Sequence, residues 1–348
     1  MEHQLCTQIF TSHQPFELEQ GDVLPLLQIT YTTLGKINET RDNVVWICHA
    51  LTGNSNPVDW WPGMVGEGRF YDPEEYFIIC ANIIGSCYGS TGPLSINPLT
   101  GQHYYADFPE VTIRDMVRAH ELLRKHLKIN RIHTCIGGSL GGQQALEWAI
   151  MQPDLIQHLV ILASNARHSP WGIAFNEAQR MAIFADPTWN QPRPDAGQSG
   201  LKAARAIAML SYRHYEAYQV RQSETTNNKL SDFKAASYMR YQGEKLVKRF
   251  NVISYLRLAS AMDSHNVGRG RKGIVEALAN VKASTLVIGI SSDILFPVSE
   301  QQFIAQHIPN ATYSEIDSIY GHDGFLVEYD QLTRLLHSFY KNLHRSAA

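Results

Sequence analysis

Gly137-Gly138-Ser139-Leu140-Gly141 follows the pattern G-x-S-x-G. A serine hydroxyl is a poor nucleophile at neutral pH and needs a neighbouring base. The five residues alone are a weak signal, because a glycine-rich turn without chemistry reads the same. Their flanks strengthen it. IHTCI before them reads as a strand and GGQQALEWAIM (141–151) after them as a helix. That strand–turn–helix order is a nucleophile elbow, which holds the serine exposed on a sharp turn. Small flanking residues are needed because the backbone passes close to itself there. The helix N-terminus behind Ser139 adds partial positive charge for a developing oxyanion.

The base and its orienting acid are expected further along, in the chain order Ser, then Asp or Glu, then His. Asp293 follows the apolar run TLVIGISS, and His322 follows TYSEIDS within YGHDGFL. Both fall just past strand ends, where loops converge on a site. Among 15 histidines, His322 has this placement late in the chain. An oxyanion hole needs two backbone N–H donors. Leu140, after the nucleophile, supplies one, and Leu51 in HALTG (49–53), after the run VVWIC, supplies the second. Other signals are weaker. His120 and His126 lie six apart on a charged helix, poor metal-ligand spacing, and read as a solvated face. Arg269, Arg271 and Lys272 in RGRKG read as a solvated loop rather than as a contact to a phosphate of a CoA-like donor. No metal site is expected. With no G-x-G-x-x-G after a strand and no P-loop, no nucleotide-fold cofactor is expected either.

Those residues need a scaffold. Short apolar runs at 44–51, 76–84, 132–139, 159–164, 285–292 and 312–318 suit strands buried on both faces. FELEQGDVLPLLQITYTTLG reads as a hairpin around Gly21-Asp22. TIRDMVRAHELLRKHL (112–127) opens on a Thr cap and places Met116, Leu122, Leu123 and Leu127 near one face. Strand–helix alternation predicts an α/β fold with a mostly parallel central sheet flanked by helices. Residues 165–280 break the rhythm and are helix-rich, with helices expected to start at Ser169 and Ser199 and a loop at TTNNK (225–229). The expected division is therefore a catalytic core of 1–164 and 281–348 with 165–280 as an inserted helical lid. Of 348 residues, 44% are hydrophobic and 18% charged, at a net charge of −3. That composition buries a sizeable core and offers no basic stripe for nucleic acid. No leader peptide and no membrane span are expected. Five cysteines without C-x-x-C spacing suit reduced, largely buried thiols in a cytosolic enzyme.

The chain resembles homoserine O-acetyltransferases of the α/β-hydrolase type. The likeness is carried by HALTG, NIIGSCYGSTGPLSINPLTG (82–101), DFPEVTIRDMV (107–117), GGSLGGQQALEWA (137–149), FNEAQRMAIFADPTW (175–189), YQGEKLVKRF (241–250), SSDILFP (291–297) and YGHDGFL (320–326), in family order. Leu140 stands where the family often has Met, and Gly324 where Ala is common. The resemblance implies an α/β-hydrolase fold and the triad Ser139, Asp293 and His322. It also implies a substrate-binding arginine at Arg205 and an acidic contact at Asp323. Acetyl-CoA would be the co-substrate and L-homoserine the acceptor, in methionine biosynthesis, within a cytoplasmic homodimer joined through lid helices. Succinyl-CoA as donor, or a serine esterase, are the alternatives.

Overall fold

The structure, a computed structural model, describes residues 5–226 and 228–346. Asn227, inside the loop expected at 225–229, lies outside them. The main sheet has eight strands: β1 (Cys6–Ser12), β2 (Leu27–Leu34), β3 (Val44–Cys48), β4 (Phe77–Ala81), β5 (Ile132–Gly138), β6 (Ile156–Leu162), β7 (Ser284–Ile290) and β8 (Ala311–Ile316). Their spatial order is β1-β2-β4-β3-β5-β6-β7-β8. The six strands from β3 onward run parallel, and β2 pairs antiparallel with both β1 and β4.

All five residues of β3 are buried, and β5 and β6 are nearly so. The pleat divides them between two cores. Trp46, Cys135, Leu159, Ile161 and Val287 enter one, and Val45, Ile47, Ile136, Val160 and Ile288 the other. This is why these strands read as continuous apolar runs. Strand β1 was not anticipated. It is an edge strand whose first four residues are exposed, so it carries no apolar run. The hairpin around Gly21 shrinks to two pairs, Phe16 with Leu24 and Glu17 with Val23, while β2 pairs with β1 instead.

Helix α1 (Ile113–His126) starts in a capping box. The Thr112 hydroxyl accepts from the Asp115 amide, and the Asp115 carboxylate accepts from the Thr112 amide. His120 on this helix is not solvated. It is fully buried, its ring 5.8 Å from Trp46 and 5.9 Å from Trp148. Burial holds it neutral, with a pKa of about 3. It stands four residues beyond Met116, on the helix stripe that faces the sheet, and that placement outweighs its polarity. Helix α2 (Leu140–Met151) is buried along nearly its whole length.

The segment between β6 and β7 is helical: α3 (Pro170–Phe184), α4 (Gln198–Tyr212), α5 (Tyr215–Gln222), α6 (Lys234–Val247) and α7 (Val252–Asp263). The Ser169 hydroxyl caps α3. The expected Ser199 start is replaced by Gln198, behind Gly197 in a left-handed conformation (φ 70°). The pattern continuing past Tyr212 breaks at Arg213-His214 into two helices. Helix α7 is docked on the body, where the Arg257 guanidinium donates to the carbonyls of Phe108 (2.7 Å) and Ala106 (2.8 Å). Helices α8 (Val298–His307) and α9 (Tyr329–Ser346) follow β7 and β8.

Arg269 and Arg271 also differ from expectation. Arg269 pairs with Glu19 at 2.8 Å and Arg271 with Glu147 at 2.6 Å, and Arg114 bridges both carboxylates. The Glu147 side chain is only 3% exposed. A carboxylate buried on α2 requires counter-charge, so the loop is pinned to it rather than left in solvent.

Candidate active site

Ser139 stands between β5 and α2 with φ 57° and ψ −127°, a strained conformation for a residue carrying a Cβ. The turn around it leaves no room. A Cβ on Gly141 would lie 2.1 Å from the Cys48 carbonyl oxygen, and one on Gly138 2.5 Å from the Phe325 ring. The Ser139 amide donates to the Leu162 carbonyl (3.0 Å), and the Ser164 hydroxyl donates to the Ser139 carbonyl (2.8 Å). The strain is thus held by β6 and its following loop, and the side chain faces the cleft.

Asp293 lies in the loop after β7 and His322 in the turn after β8. The His322 Nδ1–H donates to Asp293 Oδ2 at 2.6 Å. The other oxygen, Oδ1, accepts from the amides of Leu295 (2.8 Å) and Phe296 (2.9 Å). Both carboxylate oxygens are therefore engaged and the acid is fixed in orientation. The imidazole is fixed too, stacked on Phe296 (5.0 Å, 19°) with Phe325 at its edge (5.6 Å). Burial opposes a charge on His322. The charge and hydrogen bond of Asp293, with Asp323 adding to them, more than offset it, and the pKa is raised above its ordinary value.

The Leu51 and Leu140 amides, among the described residues, donate to no protein acceptor. Leu140 opens α2, where such amides are unpaired by the helix itself. Leu51 sits in the turn after β3, closed by the Gly53 amide on the Ala50 carbonyl (2.9 Å). Sequence reasoning missed two braces of this turn. His49 is fully buried and, with burial lowering its pKa to about 4, stays neutral. Its Nδ1–H donates to the Ala50 carbonyl (2.9 Å) and its Nε2 accepts from the Ile83 amide (3.3 Å). Gln144 Nε2 donates to the carbonyls of both His49 (3.1 Å) and Leu140 (3.3 Å), tying the Leu51 loop to α2. The signal was present, since His49 opens HALTG and Gln144 lies one turn beyond Leu140.

These groups meet at a cleft of about 520 Å³ lined by Leu51, Ser139, His322, Arg205 and Asp323 among others. Asp293 is behind His322, 5% exposed. Arg205 projects from α4, its guanidinium 5.2 Å over the Tyr212 ring. Among the described residues it has no carboxylate partner, so a cation faces the cleft uncompensated. Asp323 has a partner, Arg213, with Nε 2.9 Å from Oδ2. Lys245 and Arg249 add two further cations to the lining. The Arg249 guanidinium donates to the Thr52 carbonyl (2.6 Å) and the Tyr88 hydroxyl (2.7 Å). Arg213, Lys245 and Arg249 were not singled out from the sequence, because a cation on a helix or just past its end carries no mark of the direction it will face. No group of three or more His, Cys, Asp or Glu among the described residues is arranged to hold a metal ion.

A mixed sheet in this order, with a serine on the sharp turn after its fifth strand, defines an α/β-hydrolase-fold protein. Residues 43–329 match the family model described as the alpha/beta hydrolase fold. The chain is 53% identical over 337 residues to a homoserine O-acetyltransferase of Cyclobacterium marinum, covering 97% of this chain and 96% of that protein. Among solved structures, homoserine O-acetyltransferase from Bacillus anthracis superposes with a TM-score of 0.89 at 25% identity, covering 96% of this chain and 97% of that one. An acetylester hydrolase from Corynebacterium glutamicum superposes with a TM-score of 0.84 at 25% identity, over 96% of both chains. The chain belongs to the homoserine O-acetyltransferase family of α/β-hydrolase-fold enzymes.

Proposed function

We propose that this acyltransferase moves the acetyl group of acetyl-CoA to the hydroxyl of L-homoserine through an acetyl-Ser139 intermediate, a step of methionine biosynthesis. The observation that carries the reading is the convergence, in one cleft, of Ser139, His322 oriented by Asp293, and the uncompensated cation Arg205. Neutral His322 takes the Ser139 proton as Oγ attacks the thioester carbonyl. The carbon–sulfur bond breaks and CoA leaves as its thiol with the proton that His322 held. The homoserine hydroxyl then attacks the acyl carbon, giving its proton to His322, and the Ser139 Oγ–acyl bond breaks as that proton returns to the serine. Asp293 keeps the proton on Nδ1, so that Nε2 faces the reaction. The Leu51 and Leu140 amides hold the oxyanion in both halves.

Homoserine is a zwitterion, and a buried site must meet both its charges. The Arg205 fork suits the carboxylate with two parallel hydrogen bonds. Asp323, next to His322, suits the ammonium. No cofactor enters these steps, and acetyl-CoA is a co-substrate. A cytoplasmic homodimer is part of the same proposal, and free Cys48, Cys80 and Cys135 suit a reducing compartment.

Lys245 and Arg249 favour one second reading, since either could meet the distal carboxylate of a succinyl donor. The likeness to an acetylester hydrolase points to water as acceptor, but water has no charges for a cation and a carboxylate lining the same cleft to meet. The decisive assay gives the purified enzyme homoserine with acetyl-CoA or succinyl-CoA and follows free thiol and ester product. Intact-protein mass spectrometry with acetyl-CoA alone should find one acetyl group on the wild type and none on Ser139→Ala. An adduct that persists in Ser139→Ala overturns the nucleophile, and rapid thiol release without an ester product overturns the acceptor.

A further inference from the structure

Behind Asp323, outside the cleft, is a second cavity of about 250 Å³ lined by Arg213, Tyr218, Arg221, Tyr238 and Tyr320. Its size is near the small end of ligand pockets, roughly 300–1,000 Å³. Its chemistry is unlike an ordinary surface dent. Two guanidinium groups meet there on one ring. Arg213 stacks over the face of Tyr320 at 5.2 Å, and Arg221 donates to the Tyr320 hydroxyl at 2.9 Å. Tyr218 and Tyr238 meet edge to face at 6.0 Å. None of the lining residues is acidic, so the cavity carries two positive charges of its own. The nearby carboxylate is Asp323, and Arg213 meets it imperfectly. Nε is 2.9 Å from Oδ2 but buried and without a hydrogen bond of good geometry. A guanidinium so placed has unused donors.

We propose that this cavity binds a small planar carboxylate, held by Arg213 and Arg221 with its body against the tyrosine rings, and that the bound anion tunes the acceptor site through the Arg213–Asp323 pair. Two guanidinium groups fit a carboxylate, and aromatic walls fit a flat apolar body better than they fit inorganic phosphate. The bound anion offsets the Arg213 charge, so less of the Asp323 charge is spent on Arg213 and more acts on the cleft. The acceptor ammonium is then held more tightly. That last consequence rests on the reading of Asp323 as the ammonium partner, whereas the binding does not.

Benzoate is the probe and inorganic phosphate the comparator. Calorimetry on the full chain should find benzoate binding that Arg221→Ala weakens about tenfold. Phosphate should bind more weakly than benzoate. Arg221 is exposed and lies outside the catalytic cleft, so Arg221→Ala should keep wild-type turnover without benzoate. With benzoate, the homoserine KM of the wild type should fall about threefold and that of Arg221→Ala should stay unchanged. Undetectable benzoate binding, equal binding to Arg221→Ala, or equal binding of phosphate overturns the site. A KM that rises with benzoate, and rises equally in Arg221→Ala, marks binding at Arg205 in the cleft and overturns it as well. Arg221-dependent binding with an unchanged KM overturns the coupling. A protein that fails to acetylate homoserine at all overturns the functional reading, and the calorimetry still judges the cavity.

Discussion

Replacing Asp293 by Asn changes one atom and should stop the reaction. The geometry fixes how the new side chain sits. Asp293 Oδ1 accepts from two amides, Leu295 and Phe296, and Oδ2 accepts from His322 Nδ1. An asparagine keeps the two amide bonds only if its carbonyl oxygen takes the Oδ1 position, which turns its NH2 toward Nδ1. Two donors cannot share a 2.6 Å contact, so the imidazole moves its proton to Nε2 and accepts at Nδ1. Nε2, the nitrogen that must take the Ser139 proton, is then itself protonated and cannot act as base. Elsewhere, this substitution in a serine triad costs about 10⁴ in turnover, or about 5.4 kcal/mol of transition-state stabilisation. The change is nearly isosteric, so the melting temperature should move by only a few degrees. Turnover is measured as thiol release from acetyl-CoA with homoserine, beside a thermal melt of each protein. The acid limb of the residual activity should also shift downward, because burial then acts on His322 without its main opposing influence. Turnover within tenfold of wild type in the folded variant would refute the assignment of Asp293.

Other outcomes follow from the same geometry. In the wild type the base must be neutral, and its pKa is raised, so activity should be lost as pH falls, with the midpoint of kcat/KM above 6.5; a midpoint below 6.5 contradicts it. Arg205→Lys should raise the homoserine KM about tenfold, because a point charge replaces a bidentate fork. The first-turnover burst of CoA release should stay intact in rapid-quench experiments, and a burst slowed as much as steady-state turnover would assign Arg205 to the donor or the fold. Gly141→Ala forces a Cβ to within 2.1 Å of a backbone carbonyl, which should destabilise by about 3 kcal/mol or more; an unchanged melting temperature would mean that the turn is looser than described.

Much of the site was legible because its signals are local. The strands from β3 onward are buried on both faces, so they stand out as apolar runs regardless of their partners. The elbow needs small residues and a helix start next to each other, and both are written within a dozen positions. Asp293 and His322 could be named because they follow strand ends in a fixed order. Strand β1 was not legible, since an edge strand with an exposed face carries little hydrophobic pattern.

Pairings across long stretches of chain were invisible for a different reason. Arg269 finds Glu19 at a separation of 250 residues and Arg271 finds Glu147 at 124, and nothing near 269–273 announces either carboxylate. His120 reads as polar until the packing of α1 sets it against Trp46 and Trp148. Arg205, Arg213 and Arg249 look alike along the chain, yet one faces the cleft without a counter-charge, one pairs with Asp323, and one braces the Thr52 loop. Residue type and local period carry the reactive groups and the elements that hold them. Which charge meets which depends on the directions in which distant elements present their side chains, and those directions exist once the sheet order and helix packing have formed.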